Sequence, residues 1–345
     1  IIFLFGGLFL GWSLGANDAA NVFGTAVGTR MIRFKTAAIV CSIFVILGAI
    51  ISGAGTTETL GKLGAINALP GAFAACVAAG ISVYLMTKFG LPVSTTQAIV
   101  GAIVGWNLYT GSQTNIKVLI TILSTWILCP IIAGLIAMFF YIITKKFIQN
   151  SKLHILRLDA YTRTALLLAG AFGAYSLGAN NIANVMGVFV PISPFTDINI
   201  MNIFVFSSKE QLFLLGGIAI AIGVFTYSRK VMFTIGNDLS KLSPVAAFIV
   251  VISHSIVLFL FASQGISSFL QSINLPSIPL VPVSSSQAVV GGVIGIGLLK
   301  GGKEVKWSIA GKIALGWFTL PVIAAFISIF ILFILQNVFN LTVSF

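Results

Sequence analysis

Long apolar stretches recur along the whole chain of 345 residues, and short polar or basic segments separate them. A stretch of about 20 apolar residues is the length that an α-helix needs to cross a bilayer. In the first half of the chain, the pattern predicts spans near residues 1–29, 36–55, 64–88, 91–110 and 116–144. The short alternating strands typical of a membrane β-barrel are not evident in the sequence. The chain is therefore predicted to be an all-α polytopic membrane protein.

Composition and charge agree with this class. Hydrophobic residues make up 58% of the chain and charged residues only 8%, whereas a soluble domain carries about 25% charged residues. Lysine and arginine number 19 against 7 acidic residues, which gives a formal net charge of +12. In a soluble protein this excess would favour nucleic-acid binding. Here the basic residues lie between apolar stretches, so we expect them to set the topology, with membrane lipid and no nucleic acid as a partner.

The chain contains two copies of one unit. The sequence GANDAANV at residues 15–22 recurs as GANNIANV at residues 178–185. The sequence PVSTTQA at residues 92–98 recurs as PVSSSQA at residues 282–288. In each copy a long apolar segment that contains a proline follows these motifs.

The duplication predicts a division of the chain into three parts. Residues 1–144 are expected to form a first transmembrane repeat, residues 145–163 a linker, and residues 164–345 a second transmembrane repeat. The motifs keep their order in both copies, and the second copy has the longer loops.

Basic residues are distributed in opposite ways in the two copies. Residues 30–35 contain three of them, whereas the equivalent loop at residues 191–210 contains one. The linker at residues 145–163 contains five. Because loops rich in lysine and arginine tend to stay in the cytoplasm, the copies are predicted to have inverted topologies. We therefore expect a multi-pass protein of the plasma (inner) membrane, with a cytoplasmic linker and both termini outside.

The fourth apolar stretch of the first copy is too short to cross a bilayer. Residues 97–109 would form a helix about 20 Å long, against a hydrocarbon thickness of about 30 Å. Pro92 disfavours helix at the residue before it, so residues 92–96 are expected to form a turn inside the membrane. Inverted repeats with broken helices are typical of secondary transporters, whose site lies at the repeat interface. We thus predict re-entrant half-helices from the two copies that meet at the bilayer midplane.

The start of each predicted half-helix carries three hydroxyl side chains. Serine and threonine cap helix N-termini, where free N–H groups and the positive end of the helix dipole attract anions. Two such starts that meet near the midplane suit a tetrahedral oxyanion without any lysine or arginine. The alternative is that the hydroxyls only cap the helices. The predicted anion-binding hydroxyls are Ser94, Thr95, Thr96, Ser284, Ser285 and Ser286.

The GAN motifs supply oxygen ligands for cations. Their asparagine side chains offer carbonyl oxygens, and Gly15 and Gly178 are expected to let the helix unwind and expose backbone carbonyls. Asp18 is the only carboxylate in the four motifs, and a carboxylate inside the membrane is functional by default. It is expected to bind a cation or to accept the proton of a protonated oxyanion, although a purely structural cap is the alternative. Asn181 takes the equivalent place in the second copy, so the site is chemically asymmetric.

Two further features favour structural interpretations. His254 lies in an apolar segment and is expected to be a hydrogen-bonded core residue rather than a proton relay. The Gly-x3-Gly pairs that begin at Gly101 and Gly291 are expected to allow close helix packing.

These motifs resemble those of the inorganic phosphate transporter (PiT) family, and the resemblance covers the whole chain in order. Residues 15–28 resemble the first signature of that family, and the two PVS segments resemble its paired loops. The resemblance implies inverted repeats, import of inorganic phosphate and coupling to sodium or protons. It also implies that Asp18, Asn21, Asn184 and the PVS hydroxyls surround the substrate and cations. The chain departs from the family at Asn181, where members commonly carry aspartate, and at Gln97, where several carry histidine.

The predicted function is a sodium-coupled secondary transporter that imports inorganic phosphate by alternating access. An anion in a low-dielectric site without lysine or arginine has to bring cations with it. Sodium is preferred over protons because the motifs offer many neutral oxygens and one titratable acid. A proton-coupled (metal-)phosphate symporter and a carrier of another oxyanion, such as sulfate, are the alternatives. The predicted sodium ligands are Asn17, Asp18, Asn21, Gln97, Asn180, Asn181, Asn184 and Gln287.

Other classes of function fit the sequence less well. An enzyme acting on phosphorylated lipid needs a nucleophile with a base or a cluster of metal ligands, and the motifs offer one carboxylate and no nearby histidine. A passive channel is disfavoured because broken, closed-off motifs suit alternating access better than a pore. No cofactor is expected beyond the co-transported sodium ions. A homodimer is expected by analogy of fold alone.

Overall fold

A computed structural model describes residues 2–90, 92–150, 154–200, 204–233, 242–303 and 305–345. The first copy forms seven helices in this part of the chain. These are α1 Leu4–Asn17, α2 Ala19–Gly28, α3 Phe34–Ser52, α4 Ala54–Gly64, α5 Leu69–Lys88, α6 Thr95–Thr110 and α7 Ile116–Asn150.

The second copy repeats this series with insertions. It forms α8 Ile155–Met186, a 3-10 helix Gly187–Ile192, strands β1 Ile198–Ile200 and β2 Phe204–Phe206, and the helices α9 Ser208–Tyr227, α10 Arg229–Phe233, α11 Pro244–Leu260, α12 Gln264–Ser272, α13 Ser285–Leu299 and α14 Trp307–Asn337. The two strands pair antiparallel into a short hairpin. Aside from this hairpin, the regular structure of the described residues is helical.

Five of the described helices are long and apolar enough to span a membrane: α3, α5, α7, α9 and α14. The pair α11 and α12 passes the same criterion when taken together and bends by 67° at its break. The prediction of a multi-pass helical membrane protein is confirmed. Helices α7 and α8 extend into the predicted 145–163 linker from both ends, up to Asn150 and from Ile155, and its residues 151–153 lie outside the described residues.

The two half-helices are too short to cross a bilayer, as predicted, although α6 is three residues longer than the expected 97–109 segment. Helix α6 contains 16 residues and α13 contains 15, so each is about 22–24 Å long, less than the thickness of a hydrocarbon core. Each packs against the proline-containing long helix of the other copy, α6 against α14 and α13 against α7. A Cβ at Gly101 would overlap the carbonyl oxygen of Pro321, and one at Gly291 would overlap that of Pro130. The glycine pairs therefore allow close helix packing, as predicted.

The duplication is visible in the helix contacts. Helix α1 packs on α9 of the other copy, and its counterpart α8 packs on α3. In the same way, α1 contacts α5 while α8 contacts α11, and α5 contacts α6 while α11 contacts α13. The contact between α5 and α14 is likewise repeated between α11 and α7. The two copies therefore interlock instead of forming separate bundles.

The prediction of unwound backbone at Gly15 and Gly178 is wrong. Gly15 lies within α1 and Gly178 within α8. At Asp18, between α1 and α2, the backbone keeps helical angles with φ −73° and ψ −33°. These glycines instead permit close packing, since a Cβ at Gly15 would overlap the carbonyl oxygen of Ile220 and one at Gly178 would overlap that of Val45.

Candidate functional site

The starts of the two half-helices lie side by side. Ser94 caps α6, since its Oγ accepts a hydrogen bond from the Gln97 amide at 3.3 Å. Ser284 caps α13 in the same way, with the Gln287 amide at 3.2 Å. The Thr96 hydroxyl donates to the carbonyl oxygen of Val283 at 3.2 Å, which joins the PVS segment of one copy to that of the other. Two helix N-termini therefore converge on one buried region, where they favour negative charge.

Asp18 links the GAN motif of the first copy to these half-helices. Its carboxylate accepts a hydrogen bond from the Thr95 hydroxyl and another from Asn21 Nδ2 at 3.3 Å. Asn21 Nδ2 also donates to Ser285 Oγ at 3.1 Å, and Ser285 Oγ lies 3.5 Å from the backbone oxygen of Asp18. Asp18 is only 1% exposed. A carboxylate from one copy thus lies between the half-helix starts of both.

The GAN motif of the second copy makes related contacts. Asn184 Nδ2 donates to Thr96 Oγ1 at 2.9 Å and to Asn181 Oδ1 at 3.3 Å. Asn184 therefore reaches the half-helix of the first copy, just as Asn21 reaches that of the second. Asn181 occupies the position of Asp18 and places a neutral amide there. The charge of the site is consequently carried by the first copy.

Asn17 and Asn180 hold the turns that precede the half-helices. Asn17 Oδ1 accepts a hydrogen bond from the Val93 amide at 3.0 Å, and Asn180 Oδ1 accepts one from the Val283 amide at 2.8 Å. Their Nδ2 groups donate to neighbouring segments, in Asn180 to the carbonyl oxygens of Leu258 and Val281, both at 3.3 Å. Their side-chain oxygens thus fix the PVS turns. The predicted role of the two residues as sodium ligands remains a prediction.

Asn180→Ala is expected to lower the free energy of unfolding by about 1–3 kcal/mol, because the buried amide of Val283 loses its acceptor. The thermal midpoint of the purified protein in detergent measures this effect. Asn337→Ala is the matched control, since Asn337 is exposed and lies at the end of α14. If both variants melt at the same temperature, Asn180 does not hold the turn.

Five buried amide oxygens accept no hydrogen bond from the described residues, and apart from Asn107 Oδ1 near the end of α6 they all lie in the four motifs. The four in the motifs are the side-chain oxygens of Asn21, Gln97, Asn184 and Gln287. They form two equivalent pairs, one asparagine and one glutamine from each copy. A buried carbonyl oxygen without a donor costs about 1–3 kcal/mol, and a cation can satisfy it. As ligands, these neutral oxygens beside one carboxylate suit a hard monovalent cation.

His254 belongs to this region, so the expectation that no histidine lies near the motifs is wrong. It lies in α11, is fully buried, and its Nε2 forms a hydrogen bond with Ser285 Oγ at 2.9 Å. His254 is a hydrogen-bonded core residue, as predicted. Its hydrogen-bond partner, however, is one of the predicted anion-binding hydroxyls. A buried histidine in a membrane helix is itself a signal of a functional position.

A cleft of about 590 Å³ is lined in part by α4, whose Thr56 hydroxyl donates a hydrogen bond to the backbone oxygen of Asn180 at 3.0 Å. Its lining includes Thr57, Glu58 and Lys62 of α4 and Gly187 at the end of α8, one helical turn after Asn184. Glu58 forms a salt bridge with Lys62 at 2.6 Å, which lowers the pKa of the Glu58 carboxyl. Glu58 and Lys62 lie one helical turn apart in α4. The site side chains of the four motifs are 0–2% exposed.

Comparisons with known proteins agree with this arrangement. A model of the phosphate transporter family matches residues 14–268 and 275–343. The chain is 29% identical to a predicted phosphate permease of Methanocaldococcus jannaschii over 319 residues, which covers 92% of each chain. It is 28% identical to a predicted phosphate permease of Thermococcus kodakarensis over 407 residues, which covers 96% of each.

One solved structure has the same fold. It is described as the sodium-dependent phosphate transporter and superposes with a TM-score of 0.77 at 24% sequence identity. The match covers 97% of this chain and 98% of that one. The fold is therefore that of a known membrane transporter along the full length of the chain.

Proposed function

The chain belongs to the phosphate transporter family, and we propose that it imports inorganic phosphate together with sodium ions by alternating access. The observation that carries the proposal is that four buried amide oxygens of the motifs, two from each copy, accept no hydrogen bond from the described residues beside the converging half-helix starts. An enzymatic function is excluded by the family. The direction of transport, the coupling ion and the mode of access belong to the proposal.

The phosphate is proposed to bind at the starts of α6 and α13. Their free N–H groups and dipoles favour an anion. The hydroxyls of Thr95, Thr96, Ser285 and Ser286 supply donors beyond the two capping serines. All of these side chains are buried, so the electrostatic attraction acts in a low dielectric. Asn21 and Asn184 add amide donors, each to the half-helix of the opposite copy.

Sodium ions are proposed to bind beside the phosphate and to balance its charge. A phosphate dianion buried without lysine or arginine costs more free energy than hydrogen bonds return. The oxygens of Asn21, Gln97, Asn184 and Gln287, with the Asp18 carboxylate, offer cation ligands in the same region. The related structure is described as sodium-dependent, which supports sodium as the coupling ion. Neither ion is expected to bind tightly alone.

Alternating access is proposed to arise from the two interlocked copies. Equivalent helices of the two copies make equivalent contacts. In repeats of inverted topology, an exchange of conformation between the copies opens the site first to one face of the membrane and then to the other. The distribution of lysine and arginine supports that inversion and a cytoplasmic position for residues 145–163. The buried site and the cleft on one side of it suit a carrier that opens to one face at a time.

Substitution of both site glutamines by methionine tests the sodium ligands. Methionine keeps the length of the side chain but lacks the amide oxygen. We expect Gln97→Met/Gln287→Met to raise the half-saturating sodium concentration by at least tenfold, since each ligand to a charged group contributes about 1.5–3 kcal/mol and a tenfold change corresponds to about 1.4 kcal/mol. The measurement is radiolabelled phosphate uptake into proteoliposomes over a series of sodium gradients. Gln264→Met, at the exposed rim of the cleft, is the control.

The same assay separates the alternatives. Uptake that follows a proton gradient and ignores sodium would favour the proton-coupled symporter. Unlabelled sulfate that competes as strongly as unlabelled phosphate would indicate a broader oxyanion carrier. Accumulation against a phosphate gradient excludes a passive channel.

A further inference from the structure

A second pocket, remote from the site described above, is lined by three arginines. It has a volume of about 380 Å³ and lies where the turn after α2 meets the start of α8. Arg30 and Arg33 come from the turn between α2 and α3, and Arg163 comes from the first third of α8. Thr36 of α3 and Leu167 of α8 also line the pocket. The pocket thus combines concentrated positive charge with a polar and an apolar wall.

The positive charge of this pocket is only partly balanced. Among the salt bridges of the described residues, one involves the pocket, from Arg163 to Asp159 at 3.3 Å. Lys35 and Arg157 lie nearby on the same two helices and add further positive charge. The first turn of α3 contains no acidic residue. An anion that enters this pocket therefore meets at least two arginines without a carboxylate in competition.

An apolar surface leads directly away from the pocket. From Thr36, the same face of α3 continues through Ile39, Ile43 and Leu47, which are 51%, 51% and 40% exposed. These positions follow the helical spacing of three and four residues. From Thr36 to Leu47 the helix rises about 16 Å, close to the thickness of one leaflet of hydrocarbon. Leu168 of α8, next to Leu167, is also exposed.

We propose that this pocket binds the headgroup phosphate of an anionic phospholipid, whose acyl chains lie along the Ile39–Leu47 face of α3. Arginine forms paired hydrogen bonds with phosphate oxygens. Basic pockets between membrane helices on the cytoplasmic side bind anionic headgroups, and the lysine and arginine distribution puts this end in the cytoplasm. A free phosphate ion would use the arginines but would leave the adjoining apolar face without a role. The counterpart of the Arg30–Arg33 turn in the second copy, residues 191–210, contains a single basic residue, so the duplication does not repeat this cluster of arginines.

Lipid retention by charge-matched variants tests the proposal. Wild type, Arg33→Gln/Arg163→Gln and Lys35→Gln/Arg157→Gln are reconstituted in phosphatidylcholine nanodiscs that contain phosphatidylglycerol. Bound phosphatidylglycerol is then measured by native mass spectrometry after release. Both variants lose two positive charges from the same end of the molecule, but only the first removes residues of the pocket. We expect the pocket variant to bind phosphatidylglycerol about tenfold more weakly, and the control to bind like wild type.

Two results would overturn the proposal. One is equal retention of phosphatidylglycerol by the pocket variant and the control. The other is displacement of the lipid by inorganic phosphate or glycerophosphoglycerol at concentrations equal to that of the lipid, which would show that a free phosphate group suffices. Arg163→Gln alone serves if the double variant does not fold, because this side chain is 59% exposed. A decrease of at least threefold is expected for it, and unchanged retention counts against the pocket.

Discussion

Asp18→Asn is expected to reduce sodium-driven phosphate uptake at least a hundredfold. The substitution keeps the shape of the side chain and removes the only carboxylate among the four motifs. The Asp18 carboxylate and the proposed sodium ion form a buried ion pair, and removing one partner of such a pair costs about 3–5 kcal/mol. A hundredfold decrease in the rate of uptake corresponds to about 2.7 kcal/mol, which is within this loss. The initial rate of radiolabelled phosphate uptake into proteoliposomes with an imposed sodium gradient measures the effect.

Two further variants make this experiment specific. Glu58→Gln removes the same charge from an exposed position in α4 and is expected to transport at the wild-type rate within about twofold, as surface charges contribute little. Asn181→Asp, added to Asp18→Asn, restores one carboxylate at the equivalent position of the second copy. We expect partial recovery of uptake, because Asn181 contacts Asn184 as Asp18 contacts Asn21. Wild-type transport by Asp18→Asn alone would remove Asp18 from the mechanism.

Gly15→Ala is expected to prevent stable folding, with a loss of about 3 kcal/mol or more. The new Cβ would overlap the backbone oxygen of Ile220, and the reciprocal contact places Gly223 against the backbone of Trp12. Because both partners are helix backbones, neither can move aside as a flexible side chain would. The yield of monodisperse protein and its thermal midpoint in detergent measure this loss.

Gly311→Ala is the matched control. Gly311 also lies inside a helix, α14, but none of the described residues outside its own stretch of helix backbone comes within 4 Å of its added Cβ. There the substitution is expected to raise stability by about 0.5–1 kcal/mol, because alanine loses less conformational entropy than glycine. Equal behaviour of the two variants would show that close packing between α1 and α9 does not limit the fold.

The helical architecture and the meeting of the half-helices were predictable because both depend on local features. The lengths of the apolar stretches set the spans. The short segment after Pro92 indicated a half-helix, and its repetition after Pro282 indicated a partner for it. Direct contact between Thr96 and the second PVS segment agrees with that prediction.

Other features depended on contacts that a sequence does not display. The backbone amides that donate to Asn17 and Asn180 lie 76 and 103 residues away in the chain, so the role of these asparagines in fixing the turns could not be read from the motif. Gly15 could serve either an unwound backbone or a close helix contact, and the wrong use was predicted. His254 joined the site only because α11 packs against α13.

The interlocked helices have a consequence for biogenesis. The indole of Trp12 in α1 donates a hydrogen bond to Thr226 in α9, 214 residues later in the chain. At about 5–20 residues per second, the ribosome needs roughly 10–40 s to synthesise that interval. During this time the newly inserted first copy lies in the bilayer with the glycine face of α1 uncovered. Until α9 is made, lipid or another membrane protein has to cover this face, which combines glycine backbone with the buried side chains of Leu10 and Leu14.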